Sequence, residues 1–539
     1  MDKGSSIPEN YVARGLELFA GYGDREALVG GDRRLTYAEL GAAVVELATK
    51  LRHHGVRPGS AVLMMLGNPP EAPITQLALH LLGCRTIWIM PGNPERLFEE
   101  YVRLLGESDV LIYDHRSHAD NGRDLSAINP LVPALCFGAG GVGPDLLAPL
   151  PSDAAPLDLG DVLTEPESVF QTSGTTGTPK LVHHRNSFFA QAQALALAYR
   201  DSGMPSLRQY SISPFWAVSG QMTAFLVIFG GGLLVLGETW DPEEFLDTIE
   251  REKINGTFVS PAMFYQLLDH PATATADTSS LFMFNIGGAG ASPARLREGI
   301  ERFGPVLRII YGLSESTMIT TQPGLRVDPE HPERVGSVGT AYGDVRIEVR
   351  AEDMTTVLPV GEIGEVWIRS NLNMAGYWGQ PELTAQTMVD GWIRTRDLGH
   401  ADADGYIYLV DRIQDVIITG LGARKIHSRV VEDVIATHPQ VRSAAVIGVP
   451  DPMLGQVVHA YVIAADRSEV TGEEISALVA DSLIRAAAPR TVEFVDSLPL
   501  TRSGKVDKKA LRGAYLAAHD LPEGVLLEHV AVAAGRDSA

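Results

Sequence analysis

Apolar residues along the chain recur in two alternating rhythms. Between residues 37 and 52, Leu40, Val44, Leu47 and Leu51 fall three or four positions apart, the spacing of one helix face. Residues 60–66 and 86–90 are instead short continuous apolar runs, which predict buried strands. The alternation resumes between 205 and 345, where 233–236 and 256–259 read as strands and 243–253 as the helix between them. Such alternation predicts α/β layers. From 346 to 412 strand signals dominate, with turns at Pro359-Val360-Gly361 and Asp402-Ala403-Asp404-Gly405, so a small all-β subdomain is expected. After Arg412 a compact mixed pattern returns: a strand at 416–419, a helix over 429–438 capped by Ser428, strands at 444–449 and 459–463, and a helix over 472–485.

Two stretches break these rhythms. Residues 139–160 are rich in Gly, Pro, Asp and Ala and predict a surface crossing. The longest apolar run, 224–236, is interrupted by Gly230-Gly231-Gly232; it is too short to span a bilayer and reads as a strand pair or a strand and a helix. The patterns divide the chain into a large domain over 1–412, a compact domain over 413–513 and a tail over 514–539. Within that tail Gly535-Arg536-Asp537-Ser538 echoes the Asp-Ser of a carrier domain, but the helical bundle such a domain needs is absent from the sequence, and a frayed terminus is expected.

Composition narrows the function class. A chain of 539 residues is too long for one core, and 45% hydrophobic with 21% charged residues is ordinary globular content. The net charge of −23, from 44 basic and 67 acidic residues, argues against a nucleic-acid partner. A polyanionic substrate must therefore meet local positive charge. Two cysteines, Cys84 and Cys136, make no disulfide framework, CxxC motif or Cys-rich zinc site, which suits a reducing cytoplasm. The first eight residues hold no apolar signal-peptide core.

The densest chemistry lies in Thr172-Ser173-Gly174-Thr175-Thr176-Gly177-Thr178-Pro179-Lys180. Gly174 and Gly177 let backbone N–H groups converge on an anion, five hydroxyls add movable donors, and Lys180 adds charge. A P-loop would place glycine directly before the lysine and begin a helix there; Pro179 has no N–H and biases Thr178 toward extended backbone. The order resembles the phosphate loop of the adenylate-forming superfamily of acyl-CoA synthetases, peptide-synthetase adenylation domains and luciferases. Four further segments resemble that family's motifs, in its order: Ile286-Gly287-Gly288-Ala289-Gly290-Ala291-Ser292; Tyr311-Gly312-Leu313-Ser314-Glu315; Thr395-Arg396-Asp397-Leu398-Gly399 with Asp404-Gly405-Tyr406 and Asp411-Arg412-Ile413-Gln414-Asp415; and Pro499-Leu500-Thr501-Arg502-Ser503-Gly504-Lys505.

The resemblance covers about residues 30–513 and implies two αβ subdomains and a β-barrel-like subdomain, followed by a small mobile α+β domain. It implies a ligase that joins a carboxylic acid to ATP as an acyl-adenylate with loss of pyrophosphate, then passes the acyl group to coenzyme A. Thr172, Ser173, Gly174, Thr175, Thr176, Gly177 and Lys180 would grip the β- and γ-phosphates. Glu315, with Thr175, would hold Mg²⁺. Tyr311 would stack on adenine, beside Gly288, Ala289, Gly312 and Ser314. Asp397 and Arg412 would take the ribose and phosphate, and Lys505 would act at the reacting carboxylate and α-phosphate. Gln414 would be the hinge, and Gly420, Gly422, Arg424 and Lys425 would carry the thiol step. A homodimer is also implied.

Several positions depart from the family pattern. Arg396 stands where glycine is usual. The segment 419–432 is about two residues longer than GGxxIxPxEVE, with Ser428 and Val430 in place of Pro and Glu. Pro214-Phe215-Trp216-Ala217-Val218-Ser219-Gly220 matches PxFHxxG with Ala217 for histidine. An acyl pocket of Trp216, Ala217, Gly288 and Gly290 is thus expected to be wide and to take a bulky acid of the secondary-metabolic kind. No aspartate is present there to pair with an α-ammonium group. Three other readings stay open: a stand-alone ligase loading the phosphopantetheinyl thiol of a carrier protein, a luciferase-like oxidation after adenylation, and a catalytically silent nucleotide-binding protein.

Overall fold

The computed structural model describes residues 10–90, 98–160, 162, 164–172, 180–420, 424–465, 469–501 and 504–521. Among these residues lie four sheets, of nine, seven, five and five strands. The nine-stranded sheet has a parallel centre that includes Arg208–Ser211, Gly256–Val259, Met283–Gly287 and Leu307–Tyr311. The seven-stranded sheet is parallel through Ala61–Met65, Arg85–Trp88 and Glu167–Thr172, then turns antiparallel at Lys180–Arg185 and Gly376–Tyr377.

These two sheets share one core. Leu28 and Leu234 of the first and Val62, Trp88 and Phe170 of the second fall in a single apolar cluster with Met222, Phe225 and Phe229. The last three belong to the helix Val218–Phe229, which is apolar nearly all round and buried accordingly. The interrupted run 224–236 is therefore a helix and a strand, Leu233–Leu236, with the glycines in the turn between them. The helix Tyr37–His53 starts at a capping box in which Thr36 and Glu39 satisfy each other's backbone N–H.

The third sheet is antiparallel, with Trp392–Ala401 paired to both Gly364–Arg369 and Ile407–Arg412. The fourth contains only strands after residue 416, including the long pair Val441–Asp451 and Gly455–Ala464. The fold is a multi-domain α/β architecture with a large N-terminal and a smaller C-terminal domain.

Two expectations change here. Ser428 is not the cap of its helix but its first residue, in Ser428–Ile435. The capping acceptor is Asp411, whose Oδ2 takes the Ser428 backbone N–H at 2.5 Å. A carboxylate at a helix N-terminus satisfies an orphan donor and meets the positive end of the helix dipole. The boundary at 513 falls inside the helix Lys508–Ala518, whose Leu511 and Leu516 are buried. Leu511 packs in one cluster with Ile447 and Tyr461 of the fourth sheet, so the C-terminal domain extends past that boundary.

Candidate active site

A cavity of about 760 Å³ opens where the parallel strands of both large sheets end, the usual ligand position in such sheets. Thr172, Lys180, Glu315, Arg412, Gln414 and Lys505 line its polar part, and Trp216, Ala217, Met222, Leu226 and Trp240 its apolar part. Thr172 and Lys180 close an antiparallel strand pair. Lys180 thus begins a strand, not the helix of a P-loop. Ser173, Gly174, Thr175, Thr176 and Gly177 lie outside the described residues, as does Gly422.

Asp397 is buried between two donors. Tyr311 donates its hydroxyl to Oδ2 at 2.6 Å, and Arg412 Nε lies 3.2 Å from Oδ1. Asp397 and Arg412 are register partners across Trp392–Ala401 and Ile407–Arg412, which fixes their approach through backbone hydrogen bonds. Arg396 adopts φ +62°, the left-handed conformation its usual glycine would favour, and its N–H donates to Glu365 Oε1 at 3.3 Å. The partner strand shifts register between Glu365 and Trp367, so the irregular turn is kept without the glycine. Burial raises the Asp397 carboxyl, against the opposing pull of Arg412 and the Tyr311 hydrogen bond.

Glu315 accepts the Tyr377 hydroxyl at 2.6 Å on Oε1. The same tyrosine ring has Lys180 Nζ 5.4 Å from its centroid, so one side chain links Lys180 to Glu315. Ser314 is held through its carbonyl, 2.9 Å from His184 Nε2. A carbonyl can only accept, so Nε2 carries the proton. Burial pushes His184 down to about 4, which keeps it neutral.

Lys505 comes from the C-terminal domain and reaches the large one. Its Cε lies 3.8 Å from where a Cβ at Gly288 would stand, an ordinary contact distance, and the φ of +84° at Gly288 is what the turn requires of glycine. Burial, and then the Arg412 guanidinium, push Lys505 down to about 8, while Asp397 and Glu315 act in the other direction.

Residues 17–378 match the family model described as AMP-binding enzyme, and residues 430–505 match the model for the AMP-binding enzyme C-terminal domain. The chain belongs to the AMP-binding enzyme family. It is a ligase of the acyl-CoA synthetase type within the adenylate-forming superfamily. This AMP-binding enzyme is 34% identical to a feruloyl-CoA synthase of an Amycolatopsis species over 493 residues, covering 90% of this chain and 95% of that protein. It is 32% identical to a medium/long-chain-fatty-acid–CoA ligase of Mycobacterium tuberculosis over 519 residues, covering 91% and 88%. Among solved structures it is similar to the amide bond synthetase of Marinactinospora thermotolerans, with a TM-score of 0.82, 34% identity and coverage of 94% and 99%.

Not every expected residue of this AMP-binding enzyme reaches the cavity. Gly288, Gly312 and Ser314 line it, whereas Tyr311 is buried outside the lining. Its hydroxyl is committed to Asp397. Gly290, expected in the acyl pocket, faces the C-terminal domain: a Cβ there would sit 2.6 Å from the Arg429 guanidinium carbon. Ala289 beside it is exposed. Arg424 and Lys425 are exposed on the strand Arg424–Ile426, and Lys425 Nζ pairs at 2.5 Å with Glu352 Oε1 of the large domain. Neither lines the cavity. Tyr377 and His184 had no signal in the sequence; tyrosine and histidine at buried strand positions read as core until the partner strands are known.

Proposed function

We propose that this enzyme uses ATP to activate a bulky carboxylic acid, one without an α-ammonium group, as an acyl-adenylate, and then transfers the acyl group to the thiol of coenzyme A. The reading rests above all on Lys505, which leaves the C-terminal domain to share a cavity with Arg412 and Glu315, next to Asp397. A cation there would orient the acid's carboxylate and offset charge as the α-phosphorus is attacked. Asp397, with Tyr311 on one oxygen and Arg412 beside the other, would accept from ribose hydroxyls on its remaining lone pairs, and Lys180 would meet the leaving phosphates.

Glu315 suits Mg²⁺, which typically takes one or two carboxylates and completes its shell with phosphate oxygens and water. Among the described residues no group of three or more His, Cys, Asp or Glu could form an all-protein metal cage. When bound, the ion would neutralise phosphate charge; Tyr377 would hold the Glu315 carboxylate that receives it.

In this reading residues from 413 onward rotate about Gln414 between the two half-reactions. That motion would withdraw Lys505, separate Lys425 from Glu352, and bring Gly420, Arg424 and Lys425 to the cavity. Pyrophosphate release over a panel of carboxylic acids, measured with and without coenzyme A, tests the reading. Release that needs no acid, or none with any acid, would overturn it.

The acceptor has a second reading, an amine in place of the thiol. The similarity to an amide bond synthetase and the longer segment 419–432 favour it. Supplying coenzyme A, a phosphopantetheinylated carrier protein and an amine in parallel separates these acceptors.

A further inference from the structure

Arg308 lies in the wall of the same cavity, on the strand Leu307–Tyr311. Strand geometry places it on the order of 13 Å from Gly312, four residues back at about 3.3 Å each. Two phenols, Tyr199 and Tyr342, act on it there, and Leu207, Gln209, Leu226, Met283 and Thr321 line the same cavity. Among the described residues no carboxylate is among the groups acting on Arg308, and its buried Nε has no hydrogen-bond partner. Burial lowers its guanidinium from the usual range, as expected for a cation losing water without gaining an anion.

The neighbouring position carries a second orphan. Asn285 is the register partner of Arg308 and lines the cavity beside it. Its Nδ2 donates to the Thr257 carbonyl at 2.9 Å, but its buried Oδ1 has no donor. Unmatched buried polar groups are costly, and two in register on neighbouring strands of the cavity wall form a ready subsite.

We propose that the acid activated by this enzyme carries a second acidic oxygen group at its distal end, received by Arg308 with Asn285 beside it. This deepens the acid-activation reading and rests on it for turnover. A distal carboxylate would accept from the guanidinium fork. A ring hydroxyl would accept from Arg308 and donate to Asn285 Oδ1. The pair makes Arg308 a specificity-determining residue, remote from the reacting carboxylate.

The test compares α,ω-dicarboxylic acids with their monomethyl esters, and hydroxyaryl acids with their methyl ethers, in wild type and Arg308→Met. Binding is followed by calorimetry and turnover by pyrophosphate release. The wild type is expected to favour the free acid or the free hydroxyl in at least one pair by about 30-fold, as for a hydrogen bond to a charged group. In Arg308→Met that ratio should collapse toward one while the blocked acid is still turned over, and Arg308→Lys should recover part of it. Equal treatment of both members of each pair by wild type, or an unchanged ratio in Arg308→Met, overturns the inference while leaving acid activation intact. Arg308-dependent binding without any pyrophosphate release would instead keep the subsite and overturn the activation reading. If Arg308→Met does not fold, Arg308→Gln and the wild-type ratio carry the same decision.

Discussion

Arg412 Nε stands 3.2 Å from Oδ1 of Asp397, directly opposite it in an antiparallel strand pair. The carboxylate is buried while the arginine side chain is 43% exposed, so the pair joins the core to the cavity. Tyr311 occupies the other oxygen. Replacing Asp397 by Ala strands the Tyr311 hydroxyl and is expected to lower stability by about 1–3 kcal/mol, the cost of an unsatisfied buried donor. In Asp397→Asn the fold should be nearly unchanged in a thermal melt. Both variants should raise the KM for ATP more than they lower kcat; an unchanged KM in Asp397→Asn would remove Asp397 from the nucleotide site.

Lys505→Ala is expected to slow adenylate formation about 10²-fold or more, the usual effect of losing one transition-state charge contact. The wild-type kcat/KM for adenylation should fall as pH rises through about 8, where the free enzyme's Lys505 loses its proton. Stability should move oppositely. Between about 8 and the ordinary lysine value of 10.5 the unfolded chain binds the proton and the folded chain does not, so this group's contribution to stability rises with pH across that window. Melts of wild type and Lys505→Met over the same window check it: the difference should grow in favour of wild type.

Tyr377→Phe removes the hydrogen bond that orients Glu315 without removing the carboxylate. The half-saturating Mg²⁺ concentration is expected to rise about 10-fold or more, as for other residues that position a metal ligand, while saturating Mg²⁺ restores most of the rate. A magnesium titration of adenylation reads this out. Glu315→Gln should not be rescued by added metal.

Ala217 caps the helix Val218–Phe229 with extended backbone at φ −103°, a conformation any L-residue can adopt. Ala217→Phe should therefore fold, yet fill the cavity wall with a ring. Bulky acids are expected to lose about 10-fold or more in kcat/KM relative to a short acid such as propionate. Equal losses for both would show that Ala217 does not set pocket width. In wild type, acetate turned over as fast as bulky acids would reject the wide-pocket reading.

Much of this arrangement was legible in the chain. The helix Tyr37–His53 was visible because its core residues keep one period and its cap is local, and the glycine-rich, hydroxyl-rich run before Lys180 was visible because phosphate binding uses backbone. Other features depended on partners distant in sequence. Ser428 looked like a cap because serine often is one; Asp411, 17 residues earlier, performs that role through a strand end the sequence does not place. Gly290 looked like pocket lining because it follows Gly288, but the chain turns at the positive φ of Gly288 and delivers Gly290 to Arg429. Arg396 stands where glycine is usual, and Glu365 on the neighbouring strand accepts its backbone N–H and holds the left-handed conformation in place.

By itself the sequence determined what depends on residue order: the alternation that makes two αβ layers, the spacing of the motifs, the acidic balance that requires local cations around a polyanion, and the family those motifs resemble. Tertiary structure alone decided which of those residues meet. Register put Asp397 against Arg412, docking of the C-terminal domain put Lys505 beside Gly288, and strand pairing put Tyr377 between Lys180 and Glu315. Local propensity follows from neighbours along the chain, whereas burial, hydrogen-bond partners and the lowered Lys505 depend on groups brought together from up to hundreds of residues away.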